Sequence, residues 1–117
     1  MPIAPGRSIM SAGEQVGVEV LHWADDVLGV KLNEMWGQTE FNYLAGSCAE
    51  IMEVRPGAIG KSYPGHQVCV IDDDGQPVEP GELGEFAALR GDPVMILGYW
   101  GNEAATQAKF NGEEKQW

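Results

Sequence analysis

From Pro56 onward the chain meets a glycine or proline every few residues, and that density rules out any long helix or strand in its second half. Glycine loses the most conformational freedom on ordering, and proline lacks the N–H that helices and sheets both need. The segments left between them are short and rich in β-type residues, so they are predicted as short strands joined by turns. Residues 67–71 are the best strand, 83–89 a second and 93–97 a third. Between the first two, Asp72-Asp73-Asp74-Gly75 followed by Pro77 reads as a hairpin turn, because Asp-Gly tolerates the backbone such turns require. Strands at this spacing predict a small barrel or curved sheet. Asn102 is placed to cap a short helix over residues 103–110.

The first half is built differently. Residues 1–6 carry two prolines and a glycine and read as loop, and residues 7–10 as a short strand. Val20, Leu21, Ala24, Val27 and Leu28 recur at helical spacing, with Glu19, His22, Asp25 and Asp26 opposite. The helix is predicted over residues 18–28, with Gly17 as N-cap and Gly29 as the stop. A start at Ser11, with Glu14 completing a capping box, is the alternative. Residues 30–35 alternate and predict a strand, and a short helix or turn is expected from Thr39 to Gly46. The fold class is therefore α+β, a βαβ-type segment followed by a β-rich, distorted-barrel-like subdomain. The division falls at residues 1–46 and 47–117.

Charge narrows the function. Eighteen acidic side chains against seven basic ones leave a net charge of −11. Nucleic-acid binding needs clustered cations, and no such cluster is present. The same charge disfavours anionic membrane surfaces. No apolar run approaches the roughly 20 residues that span a bilayer. Cys48 and Cys69 stand outside any CxxC or Cys/His grouping, which reads as two reduced thiols in a cytoplasmic protein. The acids of 72–85 read as one wet face. Asp72 and Asp74 are wrongly phased for a calcium loop, and Gly81 stands where its closing glutamate would be. His66 reads as structural, and Tyr99 and Trp100 as core or interface aromatics.

The stretch with chemical content is Trp36-Gly37-Gln38-Thr39-Glu40. A strand ends, glycine lets the backbone turn, and a hydroxyl and a carboxylate follow at once. A threonine at a helix N-terminus can offer its hydroxyl and nearby N–H groups to a phosphate. A carboxylate beside it suits Mg²⁺, which takes one or two carboxylates together with phosphate oxygens. The same residues would equally serve as an ordinary helix cap followed by an acid.

These residues stand in a series of blocks: Ser11-Ala12-Gly13-Glu14, Val20-Leu21-His22-Trp23, Glu34 through Glu40, Pro56 through Ser62, Pro64-Gly65, Val70-Ile71-Asp72, Gly81 through Glu85, and Gly98-Tyr99-Trp100. In that order they resemble the adenylate-forming (AMP-binding) enzymes, whose members include acyl-CoA synthetases, aryl-CoA ligases, luciferases and peptide-synthetase adenylation domains. The resemblance covers residues 7–117, and the pattern is most similar to acetyl- and medium-chain acyl-CoA synthetases. It implies activation of a carboxylic acid with MgATP to an acyl-adenylate, followed by transfer to coenzyme A. Thr39 matches the family threonine on the AMP phosphate, and Glu40 the glutamate that binds Mg²⁺. Gly13, Glu14 and Gln15 match the loop against the adenine face, though many relatives have proline or alanine in place of Gln15. Glu34 matches a position near the adenine amino group. Trp36 and Gly37 match positions lining the acyl pocket, with Met35 and Gln38 in the same run. Acetate-specific relatives carry tryptophan where this chain has Gly37, so the resemblance implies room for a longer or aromatic acyl group.

The family's phosphate loop would lie upstream of Met1. Its ribose-binding aspartate, a phosphate-side arginine and a catalytic lysine would lie beyond Trp117. The resemblance therefore describes an internal piece of a longer ligase, expected to be inactive alone. A non-catalytic acidic domain that docks to a partner protein is the alternative, and the oligomeric state is open.

Overall fold

The computed structural model describes residues 8–110 and Trp117. The loop expected at residues 1–6 and the start of the strand expected at residue 7 lie outside the described residues. In chain order the elements are β1 (Ile9–Ser11), α1 (Val18–Leu28), β2 (Leu32–Gln38), β3 (Phe41–Gly46), β4 (Lys61–Ser62), β5 (Val68–Ile71), β6 (Glu85–Ala88) and α2 (Glu103–Lys109). The described residues form two compact units. One takes the residues up to Gln38 together with Tyr43–Tyr63, the other Thr39–Asn42 together with Pro64 onward.

The first unit contains the predicted βαβ segment. β1 pairs in parallel with β2, Ile9 opposite Leu32 and Ser11 opposite Glu34. α1 makes the crossover between them. It starts after Gly17, whose backbone is extended, and stops at Gly29, whose left-handed backbone (φ 65°) returns its N–H to Ala24 and Asp25 carbonyls. Only glycine adopts that conformation without a Cβ penalty, which is why the helix ends there.

Leu21 and Ala24 face the sheet and pack with Val16 and Leu32, backed by Ile9. Burial of each large aliphatic side chain contributes about 1.5–3 kcal/mol. The predicted apolar face is wider than what the sheet covers. Val20 and Val27, both counted on that face, are about half exposed or more.

β2 departs from the alternation expected of it. Leu32, Asn33, Glu34 and Met35 are all buried, so both faces of this part of β2 are covered, and the strand lies between β1 and β3 in the order β1-β2-β3-β4. The two polar side chains are satisfied there. Asn33 Oδ1 accepts the Ala49 N–H at 2.8 Å and its Nδ2 donates to Ser8 Oγ at 3.2 Å. The segment after Thr39 is a strand rather than the short helix or turn expected. Ala45 and Gly46 pair antiparallel with Ser62 and Lys61.

The second unit is β-rich, as the glycine and proline density predicts. β5 and β6 pair antiparallel, Val68 opposite Ala88 and Ile71 opposite Glu85. The Asp72–Gly75 turn forms as predicted, with Asp72 Oδ1 accepting the N–H groups of Asp74 and Gln76. The third strand expected over residues 93–97 does not form. Met95 makes a single bridge to Phe41 instead. Among the described residues no closed barrel forms. Asn102 caps α2 as expected, its side chain accepting from the Ala105 N–H at 3.1 Å. Trp100 is fully exposed and so is not a core residue of the described chain, and Tyr99 is half-buried.

Candidate functional site

Glu34 is the centre of the first unit's polar structure. Its carboxylate Oε1 accepts the Val16 N–H at 3.0 Å, and both groups are buried. Its backbone is held as well. The Glu34 N–H donates to Ser47 Oγ and the Ser47 N–H to the Glu34 carbonyl, each at 2.8 Å. The backbone of Gly46 comes so close that a Cβ there would meet the Tyr63 hydroxyl and the Glu34 carbonyl. The Gly13–Gln15 segment is therefore tied, through Val16, to the middle of β2.

This arrangement opens a cleft of about 480 Å³. Its lining comes from separated segments: Gly13, Glu14 and Gln15 from the loop before α1, and Glu34 through Gln38 from β2. All eight were nominated by sequence, and the fold of this unit brings them round one cavity. Gly57 and Ile59 complete the lining and were not nominated. They belong to the Pro56–Ser62 block, but a glycine and an isoleucine offer no chemical group that would single them out. Glu34 has a second role here that the resemblance did not imply, since one oxygen is committed to the loop backbone.

Thr39 and Glu40 belong to the second unit. They form the two-residue turn between β2 and β3, not a helix N-terminus. The phosphate-binding argument from a helix dipole therefore does not apply to them. Thr39 is exposed and Glu40 half-buried. The Glu40 carbonyl accepts the Ile96 N–H at 2.6 Å, and its Oε1 accepts the Tyr99 hydroxyl at 2.5 Å. The Tyr99 hydroxyl, with the Glu40 backbone N–H second, holds the Glu40 carboxyl below the ordinary range. The same bond, together with burial, pushes the Tyr99 phenol up. Among the described residues no group of three or more His, Cys, Asp or Glu side chains could hold a metal. Glu40 is thus a lone carboxylate with one oxygen bound to a phenol. That suits a cation drawing its other ligands from phosphate and water, as Mg²⁺ does, and not an all-protein metal cage.

His66, read from the sequence as structural, pairs with Asp92. Its Nδ1 lies 2.7 Å from Asp92 Oδ2, and the aspartate side chain is only 3% exposed. Burial pushes the Asp92 carboxyl up. The His66 bond and the Val94 N–H outweigh that effect and hold it below the ordinary range. His22 is exposed and borders a second cleft of about 390 Å³ with Asp25 and Lys31. Cys48 and Cys69 are both free thiols. No helix among the described residues is long and apolar enough to cross a membrane.

Comparison with known proteins gives a consistent result. The profile of the AMP-binding enzyme family matches residues 4–100. An uncharacterised acyl-CoA ligase of Bacillus subtilis strain 168 is 32% identical over 107 residues, covering 92% of this chain and 20% of that protein. An acetyl-coenzyme A synthetase of Pyrobaculum arsenaticum is 35% identical over 102 residues, 82% of this chain and 15% of that protein. Among solved structures, the anthranilate CoA ligase AuaEII in complex with anthranoyl-AMP superposes with a TM-score of 0.80 at 28% identity, covering 92% of this chain and 20% of that one. The chain spans a fifth or less of the length of these relatives. None of them supports the alternative of a freestanding acidic docking domain.

Proposed function

This chain belongs to the AMP-binding enzyme family, and from that premise we propose that it is a segment of an AMP-forming acyl-CoA ligase, inactive alone. The ligase joins a carboxylic acid to the α-phosphate of MgATP, releasing pyrophosphate. The thiol of coenzyme A then displaces AMP to form the thioester. The observation that carries this reading is the 480 Å³ cleft, whose lining includes residues 13–15 and 34–38. Those are the positions that the resemblance assigns to adenine and acyl binding.

In this reading the Gly13–Gln15 loop lies against the adenine face. Glu34 accepts from the adenine amino group with the oxygen that Val16 leaves free. Trp36 and Gly37 border the acyl group, and the small Gly37 favours a longer or aromatic acid over acetate. Thr39 offers its exposed hydroxyl to the α-phosphate. Glu40 would hold the Mg²⁺, which when bound offsets the charge that builds on the phosphate during transfer. ATP and coenzyme A are substrates of the longer enzyme in this reading, the resemblance points to fatty acid metabolism, and the two unpaired cysteines favour a cytoplasmic setting.

Pyrophosphate exchange by a ligase carrying this segment tests the reading. Glu40→Gln keeps size and removes charge, and should lower adenylation by roughly two to three decades, the scale of one preorganised electrostatic contact. Thr39→Ala should slow the same half-reaction. Unaltered rates and an unchanged Mg²⁺ optimum in Glu40→Gln, with an unchanged melting curve as control, would overturn it.

A further inference from the structure

We infer that Tyr99 is a positioning residue for Glu40, its phenol holding one carboxylate oxygen so that the other is aimed at a divalent cation. The inference rests on the reading of Glu40 as the metal-binding carboxylate, and adds a group that reading does not contain.

The geometry is specific. Tyr99 and Glu40 stand 59 residues apart, yet the phenol O–H donates to Glu40 Oε1 at 2.5 Å. A glutamate at a two-residue turn has three rotatable bonds and would otherwise sample many positions. Here it is held at both ends. Its carbonyl takes the Ile96 N–H at 2.6 Å, and the next residue, buried Phe41, bridges Met95.

Tyr99 is fixed in its turn. Its N–H donates to Thr106 Oγ1 at 2.9 Å, and that hydroxyl donates to the Asn102 carbonyl at 2.9 Å. The first turn of α2 thus fixes the backbone that carries the phenol. The phenol is a neutral donor, so it orients one carboxylate oxygen without adding positive charge of its own, while Lys109 acts on the same carboxylate electrostatically. Metal-ligating carboxylates are commonly oriented by such hydrogen bonds, and loss of the partner costs about 10–100-fold in metal affinity or activity.

The test uses this 117-residue chain and Mn²⁺ with equimolar inorganic pyrophosphate as the probe, which supplies the phosphate oxygens that a lone carboxylate needs beside it, read as paramagnetic broadening of assigned backbone amide signals. Broadening should centre on residues 39–41. The Asp72–Gly75 turn serves as the internal reference for general attraction to acids. Glu40→Gln should abolish the broadening at 39–41, and Tyr99→Phe should weaken it about tenfold, while the reference stays unchanged. Tyr99→Phe keeps the ring, so unchanged shifts remote from residue 99 check the fold. Should that variant not fold, Thr106→Val frees the Tyr99 backbone without touching Glu40 and should weaken the broadening at least threefold. If Glu40→Gln abolishes the broadening and Tyr99→Phe, or Thr106→Val in its place, leaves it within twofold of the unaltered chain, the inference is overturned. The metal reading of Glu40 then stands. If the unaltered chain shows no broadening centred on 39–41, or Glu40→Gln leaves it intact, the metal reading fails and the inference with it.

Discussion

The buried carboxylate of Glu34 accepts the backbone N–H of Val16 at 3.0 Å, across 18 residues of sequence. This bond links the loop before α1 to β2, and the cleft lies between what it joins. A hydrogen bond to a charged group contributes about 1.5–3 kcal/mol, and a buried donor left without a partner costs a similar amount. Glu34→Ala should therefore destabilise the chain by about 1.5–3 kcal/mol. Glu34→Gln, which keeps an acceptor oxygen, should cost under about half of that. Urea unfolding of the two variants checks the order. Equal losses would mean that the charge, not the hydrogen bond, is what the loop needs.

Gly46 admits no side chain. A Cβ there would fall on the Tyr63 hydroxyl and stand 2.8 Å from the Glu34 carbonyl. The carbonyl is backbone inside β2 and cannot swing away, so the strand must shift. Overpacking of this kind costs about 1–3 kcal/mol. Gly46→Ala should lower the melting temperature, and Tyr63→Ala in the same chain should recover only part of it, because the Glu34 contact remains. Full recovery would place the whole conflict at Tyr63.

The Asp92 carboxyl is held below its ordinary value of 3.8, so the folded state favours its charged form. The sign follows. The stabilisation is fully present above the unfolded value and is lost as pH falls through the lower folded value. Asp92→Asn should cost about 1–3 kcal/mol near neutral pH, since it weakens a buried, charged hydrogen bond. The gap between the variant and the unaltered chain should close below about pH 4. Chemical unfolding from pH 7 down to pH 2 measures it, and a gap that stays constant over that range would contradict the assignment.

Calorimetric titration of the 117-residue chain with MgATP should show no saturation below about millimolar concentration. The resemblance implies that the phosphate-loop lysine, the ribose aspartate and the phosphate-side arginine are supplied by parts of the ligase other than these 117 residues. Each charged hydrogen bond missing removes about 1.5–3 kcal/mol. A low-micromolar constant would mean that the cleft lined by Glu34 and Gln15 suffices for the nucleotide, and would count against an inactive segment.

How far the sequence reaches can be judged element by element. α1 was legible to the residue, because its period is local and Gly17 and Gly29 bound it. β5, β6 and the turn at Asp72 were legible within a residue or two for the same reason. The eight cleft residues were legible because they fall in short runs matching a known pattern. The width of the buried face of α1 was not. The apolar period counts Val20 and Val27 with Leu21 and Ala24, but the sheet decides which of them it covers.

The sequence by itself determined that the first half is a βαβ segment and that the second is short strands and turns, and it nominated residues 34–40 as the stretch with chemical content. Each follows from propensity, periodicity or motif within a few residues of chain. Only the tertiary structure decided that residues 41–46 form a strand, since FNYLAG has no alternation and takes its state from its neighbours in the sheet. Only it decided that residues 93–97 make one bridge and not a strand, because a single bridge at Met95 is what the chain finds as a partner. And only it brought the Tyr99 phenol to Glu40 and the Glu34 carboxylate to Val16. Those contacts join residues far apart in sequence, and no local preference encodes where two distant segments will meet.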